Sequence, residues 1–472
     1  MKINSFDGLS YRQEKDLIGV RNVPKDAYYG IQTLRAMENF QDITGVSISH
    51  FSYLINALVM VKSASAQANQ SLGLLDGKKA DAIVYACQKV LAGSLHEQFT
   101  VDVIQGGAGT STNMNANEVI ANLGLEYLGF KKGEYQYLHP NNDVNQSQST
   151  NDVYPTAVRL AIVTASQELI SSIDSLQKSL AKKADEFAEV KTMGRTQLQD
   201  AVPMSLGQAF GAFSTTLIEE IHNIRHVGNL LCEVNLGGTA IGTGLNAPPG
   251  YSELVIEKLV LISGLNVKSA GNLIEATSDM GAFVSFSGAL KRLAIKLSKI
   301  SNDCRLLSSG PRAGFNEINL PAMQPGSSIM PGKVNPVIPE AVNQVAYVVI
   351  GYDLTVTMAA ESGQLQLNAF EPVIAMSILQ SIRILNVAMG IFENKCISGI
   401  TANKDRCASL VENSISLVTV LNPIIGYEAA SRLAKEALES GASVVELVKR
   451  DKIISDHVLR EVLAFKSSRD GD

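Results

Sequence analysis

The chain has 472 residues, of which 46% are hydrophobic, 18% charged and 6% aromatic, with no tryptophan and a formal net charge of −6. So much apolar residue with so little net charge excludes a disordered chain, and no basic tract is present that could track a nucleic-acid backbone. At roughly 150 residues per domain, the length suits about three domains, or one large domain with appendages.

The first sixteen residues mix Lys2, Asp7, Arg12, Glu14, Lys15 and Asp16 with no apolar run, so no secretory signal is expected. The five cysteines, Cys87, Cys232, Cys304, Cys396 and Cys407, include no Cys-x-x-Cys pair. They read as reduced thiols of a cytoplasmic protein, without a disulfide framework or a zinc site. Residues 1–143 combine turns such as Val23-Pro24-Lys25-Asp26 with short helical patterns.

From Ala157 to about Glu189, apolar residues recur at three- and four-residue steps: Leu160, Val163, Leu169, Ile173, Leu176, Leu180. That spacing predicts one amphipathic helix of about 50 Å. Similar helices are predicted from Met204 to about Glu233, Leu273 to Leu307, Pro336 to about Gln366 and Pro372 to about Glu393. Such stripes must be buried against one another, which makes the chain mainly α with a central long-helix bundle. Gly207, Gly211 and Ala212 suit close helix contact. The uncharged run Ala201–Ile218 carries Ser205, Gln208, Ser214, Thr215 and Thr216, so it reads as a buried helix with no membrane partner. After about Ile400 the pattern shortens to a charged helix and a polar tail, Lys466–Asp472. Domain boundaries are placed near 143 and 399, giving segments 1–143, 144–399 and 400–472.

Four polar breaks hold the chemistry. Gln105-Gly-Gly-Ala-Gly-Thr110-Ser111-Thr112-Asn113 could offer backbone N–H groups to an anion, without the strand and glycine spacing of a dinucleotide fingerprint. Gln146-Ser147-Gln148-Ser149-Thr150-Asn151-Asp152 precedes the first long helix, where capping explains one polar residue and a carboxylate ligand would suit the rest. Gly194-Arg195-Thr196-Gln197-Leu198-Gln199-Asp200 reads as a polar loop between two helices. Gly326-Ser327-Ser328-Ile329-Met330-Pro331-Gly332-Lys333-Val334-Asn335-Pro336 has the wrong glycine spacing for a Walker A loop, and Val334 where magnesium needs a hydroxyl. Pro336 suits the first residue of the next helix, with Asn335 as its cap and Lys333 beside a helix N-terminus. No histidine lies in these breaks, and His50, His96, His139, His222, His226 and His457 are scattered. A Ser-His-Asp hydrolase is therefore disfavoured, no metal set is predicted, and a small dianion held by hydroxyls, amides and one lysine fits best.

Ser327-Ser-Ile-Met-Pro-Gly-Lys-Val-Asn-Pro336 resembles the signature loop of the aspartase/fumarase superfamily, and the likeness extends over essentially the whole chain. Asp26-Ala-Tyr-Tyr-Gly-Ile-Gln-Thr-Leu-Arg-Ala36, Ser149-Thr150-Asn151-Asp152 and Gly314-Phe-Asn-Glu-Ile-Asn-Leu-Pro321 resemble the branch that removes ammonia from aspartate. Class II fumarases usually carry a second serine where Thr150 stands. The resemblance implies a three-domain fold with five long helices per subunit and a homotetramer with a twenty-helix core. It also implies active sites drawn from three chains and no cofactor.

The implied reaction is reversible deamination of L-aspartate to fumarate and ammonia. Ser327 matches the family's general base, taking the proton beside the β-carboxylate and leaving a dianionic aci-carboxylate. Preorganised donors to that group are the largest expected catalytic contribution, each about 3 kcal/mol by analogy with oxyanion holes. By resemblance, Thr110, Ser149, Thr150 and Ser328 fill that role, Lys333 and Asn335 hold the α-carboxylate, and Asn151, Thr196 and Gln197 contact the amino group. Fumarases carry histidine where this chain has Gln197, paired with the residue matching Glu340. Hydroxide needs a proton donor on leaving, whereas ammonium departs as neutral ammonia, so Gln197 favours a deaminase and leaves Glu340 without a clear task. Fumarate hydratase and a non-catalytic scaffold are the alternatives, and the absence of an Ala-Ser-Gly tripeptide argues against the aromatic ammonia-lyases.

Overall fold

The computed structural model describes residues 10–464 and is mostly helical; the polar tail read from Lys466 onward lies outside the described residues. Each of the long predicted segments is a helix: Thr150–Glu186, Leu206–Leu230, Gly281–Leu307, Val337–Glu361 and Glu371–Lys395. Their stripes are core, with Leu169, Ile173, Leu176 and Leu180 fully buried along the first. Gly207 permits the close approach expected of it, because a Cβ there would lie 2.4 Å from the Ala184 carbonyl oxygen.

Three boundaries differ from expectation for identifiable reasons. The first helix starts at Thr150 and runs through Pro155. Proline there removes the N–H that would serve the Asn151 carbonyl, and Asn235 Nδ2 donates to that oxygen instead at 2.9 Å. The predicted helix from Leu273 is two, Leu273–Ser278 and Gly281–Leu307. Asp279 breaks it, being extended, with Oδ2 accepting the Gly281 N–H at 2.9 Å. The third difference is an antiparallel hairpin, Lys191–Thr196 paired with Gln199–Ser205, where a loop and the start of a helix were predicted. Its two-residue tip, Gln197–Leu198, has positive φ at both positions, 53° and 62°. That is the turn that matches strand twist, built here without the usual Asn-Gly signal.

Before the first long helix, a hairpin of Tyr11–Asp16 and Gly19–Pro24 precedes helices Ile31–Phe40, Ser52–Ser71, Gly77–Leu91 and Thr110–Tyr127. Gly30 at the cap of Ile31–Phe40 has no side chain to offer. The buried Glu118 carboxylate accepts the N–H groups of Gly30, Gln32 and Thr33 in its place.

The chain divides into two compact units. One comprises residues up to Ile170, His222–Arg292 and Tyr347–Leu385; the other comprises Ser171–Ile221, Leu293–Ala346 and the residues from Asn386 onward. The second includes a small core of Leu417, Leu421, Leu433, Leu447, Val448 and Leu459 under short C-terminal helices. Among the described residues one helical stretch, 371–399, is long and apolar enough to cross a membrane, and 56% of that window is buried within the chain itself. The run from Ala201 that raised the membrane question in the sequence is part strand and part helix.

Candidate active site

In the first unit, the helix beginning at Thr150 is capped by its own site residues. Ser149 Oγ accepts the Asn151 N–H at 3.2 Å, and Asp152 Oδ1 accepts the Ser149 N–H at 2.9 Å. The other Asp152 oxygen accepts the N–H groups of Gly237 and Thr239 at 2.9 and 3.1 Å. Asp152 is fully buried, and burial raises its pKa to about 6. Asn151 spends one amide N–H on the Ala240 carbonyl at 2.7 Å. The Ser149 hydroxyl, being an acceptor here, keeps its proton for an outside partner.

Thr150 is supported from behind. Its Oγ1 accepts from Asn113 Nδ2 at 3.0 Å, which likewise leaves its O–H available. Asn113 and Asn117 both donate to Asn145 Oδ1, at 3.1 and 3.2 Å. Lys62 donates to the same oxygen and to Gln148 Oε1, each at 2.8 Å. Lys62 has no exposed surface, and burial lowers its pKa to about 7. Asn113 closes the first polar break read in the sequence, whereas Lys62, Asn117 and Asn145 were not singled out there. The available signal was one lysine inside the apolar stretch Leu58-Val-Met-Val-Lys62.

The glycine-rich turn before Thr110 turns several donors inward. Thr110 N–H and Oγ1 both donate to the Gly107 carbonyl, at 3.0 and 2.7 Å, and Asn113 N–H donates to Gly109. Gln105 Oε1 takes the Thr112 N–H at 3.0 Å. These groups are therefore spent on the turn and the helix start rather than offered together to an anion. Thr110 would have to release Gly107 to donate elsewhere. Gln146, Ser147 and Gln148 are spent in the same way, on Leu74, Asn69, Val144 and Lys62.

In the second unit, Thr196 and Gln197 are exposed at the hairpin tip. Arg195 beside them pairs with the fully buried Glu317, Nη1 to Oε1 at 2.7 Å, and its guanidinium lies 4.4 Å from the Phe315 ring centroid. The Ser327 loop is closed by its own backbone and one amide. Gly326 N–H donates to the Lys333 carbonyl at 2.7 Å, and Asn335 Nδ2 donates to the Gly326 carbonyl at 2.8 Å. Asn335 therefore ties the loop together and is not the side-chain cap it was predicted to be. Pro336 stands just outside the helix, its carbonyl accepting from the Glu340 N–H at 3.2 Å.

Ser327 Oγ accepts two backbone N–H groups, from Ile329 at 3.2 Å and Met330 at 3.1 Å. Two donors aimed at one hydroxyl oxygen favour negative charge on it. Ser327 and Lys333 line a single cavity of about 510 Å³. Ser328 is exposed on the same loop. Glu340 sits in the first turn of Val337–Glu361, with Arg305 Nη2 4.0 Å away. Among the described residues no three His, Cys, Asp or Glu side chains are grouped to hold a metal ion.

Hydroxyls, amides and a lysine at helix starts and loops suit a small dianion, and the family matches give the class as lyase. Residues 19–351 match a family model described as "Lyase", and residues 417–467 match one described as "Fumarase C C-terminus". The chain belongs to the aspartase/fumarase family of lyases. It is 63% identical to an aspartate ammonia-lyase of Pseudomonas aeruginosa over 96% of both chains. It is 55% identical to that of Escherichia coli K12, covering 97% of this chain and 95% of the relative. Among solved structures, a fumarate lyase:delta crystallin from Brucella melitensis bound to cobalt is 57% identical with a TM-score of 0.94, over 96% of this chain and 98% of that one. A class II fumarase from Schistosoma mansoni is 35% identical with a TM-score of 0.91, at the same coverage.

Proposed function

We propose that the chain catalyses the reversible deamination of L-aspartate to fumarate and ammonia. The observation that carries the mechanism is the pair of backbone N–H groups on Ser327 Oγ. Serine is a poor base unless its alkoxide is stabilised, and these donors, with Lys333 on the same cavity, supply that stabilisation. Ser327 takes a proton from the carbon beside the β-carboxylate, and the electron pair spreads into that carboxylate. It then returns to form the double bond as the carbon–nitrogen bond breaks and ammonia leaves.

Ser149 and Thr150 suit the aci-carboxylate, because each oxygen already accepts a hydrogen bond and has its own proton to give. Thr110 and Ser328 complete that set, Lys333 and Asn335 hold the α-carboxylate, and Asn151, Thr196 and Gln197 face the amino group. Gln197 offers no acid for a departing hydroxide, which ammonia does not need.

The segments belong together in a homotetramer whose sites draw on three chains. An exposed apolar stripe on Val337–Glu361, at Tyr347, Ile350, Leu354 and Met358, supports it by offering a face to further copies. The chain is read as cytoplasmic, with free thiols of which Cys87, Cys304, Cys396 and Cys407 are buried, and as three segments, 1–143, 144–399 and 400–472. The test is to follow the ultraviolet absorbance of fumarate with L-aspartate, and with L-malate in parallel. Signal from aspartate supports the ammonia-lyase, signal from malate alone makes the chain a fumarase, and silence in both points to another succinate-like substrate or to a scaffold.

A further inference from the structure

We infer that Glu317 and Arg195 are positioning residues that aim the hairpin tip, Thr196 and Gln197, at the amino end of the substrate; the inference rests on the functional reading above. A two-stranded ribbon is barely stable by itself, and this one ends in a turn with two non-glycine residues at positive φ. Something outside the ribbon must hold its tip. Two side chains of the first strand supply the means. Pairing shifts between Met193 and Arg195, where Ala201 and Val202 of the returning strand stand opposite Gly194 alone. Thr192 and Arg195, on either side of that irregularity, reach the same partner: Thr192 Oγ1 donates to Glu317 Oε2 and Arg195 Nη1 pairs with Oε1.

Glu317 is itself a fixed post. Its carbonyl accepts the Asn403 N–H at 2.9 Å, the neighbouring Ile318 pairs with Ala402, and the Phe315 carbonyl accepts Arg406 Nε at 3.0 Å. The returning strand is held as well, since Ser414 Oγ donates to Asp200 Oδ2 at 2.7 Å. A wholly buried carboxylate is costly, and an apolar contact would join a ribbon to its neighbour equally well. What the ion pair adds is direction: Arg195 at one Glu317 oxygen, Thr192 at the other, and the guanidinium over the Phe315 ring together set the residue immediately before Thr196.

The test compares two ligands that differ in the amino group alone. Succinate carries both carboxylates of aspartate and no amino group. In Glu317→Gln, kcat/KM for L-aspartate is expected to fall about 10²-fold with KM raised, as for a misplacement near 1 Å, while competitive inhibition by succinate stays unchanged. Arg195→Lys keeps the charge without the planar guanidinium over Phe315 and is expected to lose less; it also serves if Glu317→Gln does not fold. Succinate binding that weakens in step with the aspartate KM, or wild-type kinetics in both variants, overturns the inference. Wild-type protein inactive on aspartate overturns the functional reading and this inference with it.

Discussion

The ring of Tyr154 lies so close to Gly109 that a Cβ at that glycine would meet Tyr154 Cγ at 2.4 Å. Gly109 also has φ of +89° and immediately precedes Thr110 at the start of its helix. Gly109→Ala therefore adds backbone strain to a steric clash beside a proposed donor. A loss of about 1–3 kcal/mol is expected, together with most of the aspartate turnover. Urea denaturation and steady-state kinetics measure both, and adding Tyr154→Leu should restore part of the stability.

Asp152 holds three backbone N–H groups that join the start of the Thr150 helix to Gly237 and Thr239. In Asp152→Asn one oxygen becomes an NH₂ that cannot accept, so at least one buried donor loses its partner. Each such loss costs about 1–3 kcal/mol. Since Ser149 depends on the same carboxylate, kcat should fall along with the denaturation midpoint.

Ser327→Ala separates chemistry from folding. The loop closes through Gly326, Lys333 and Asn335, and the two N–H groups that Ser327 Oγ accepts belong to the exposed Ile329 and Met330, where water can replace the hydroxyl. Stability should therefore stay within about 0.5 kcal/mol. Fumarate formation should fall by about 10²–10⁴-fold, the usual yield of a positioned base. Substantial remaining activity would assign the base elsewhere.

Glu371 is a fully buried carboxylate, neither oxygen of which finds a hydrogen-bond partner among the described residues. Burial raises its pKa to about 8, against an attraction from Arg159 that lowers it. The folded protein thus binds this proton more tightly than the unfolded chain does. Glu371 favours folding most below the unfolded value of 4.5, and that contribution declines as pH rises from about 4.5 to 8. Glu371→Gln removes the titration. The difference in Tm between variant and wild type should shift in favour of the variant across that window, as read by melts at a series of pH values.

The long helices and the serine loop were legible because their signals are local. Apolar spacing near 3.6 residues declares a helix wherever it is buried, and Ser327–Pro336 is one unbroken stretch. The hairpin at Lys191–Ser205 was missed because Gln197-Leu198 lacks the residues that usually mark such a turn. Its anchor was beyond reach for another reason, since Thr192 and Glu317 stand 125 positions apart. The sequence by itself determined the helical class, the family loop and the residues able to stabilise a small dianion. Tertiary structure alone decided that Lys62 stands behind Thr150, that Asp152 ties its helix to Gly237, and that Glu317 receives Arg195. Spacing along a chain determines which face a side chain takes within its own element, whereas the partner of a buried charge is chosen by packing among elements distant in sequence.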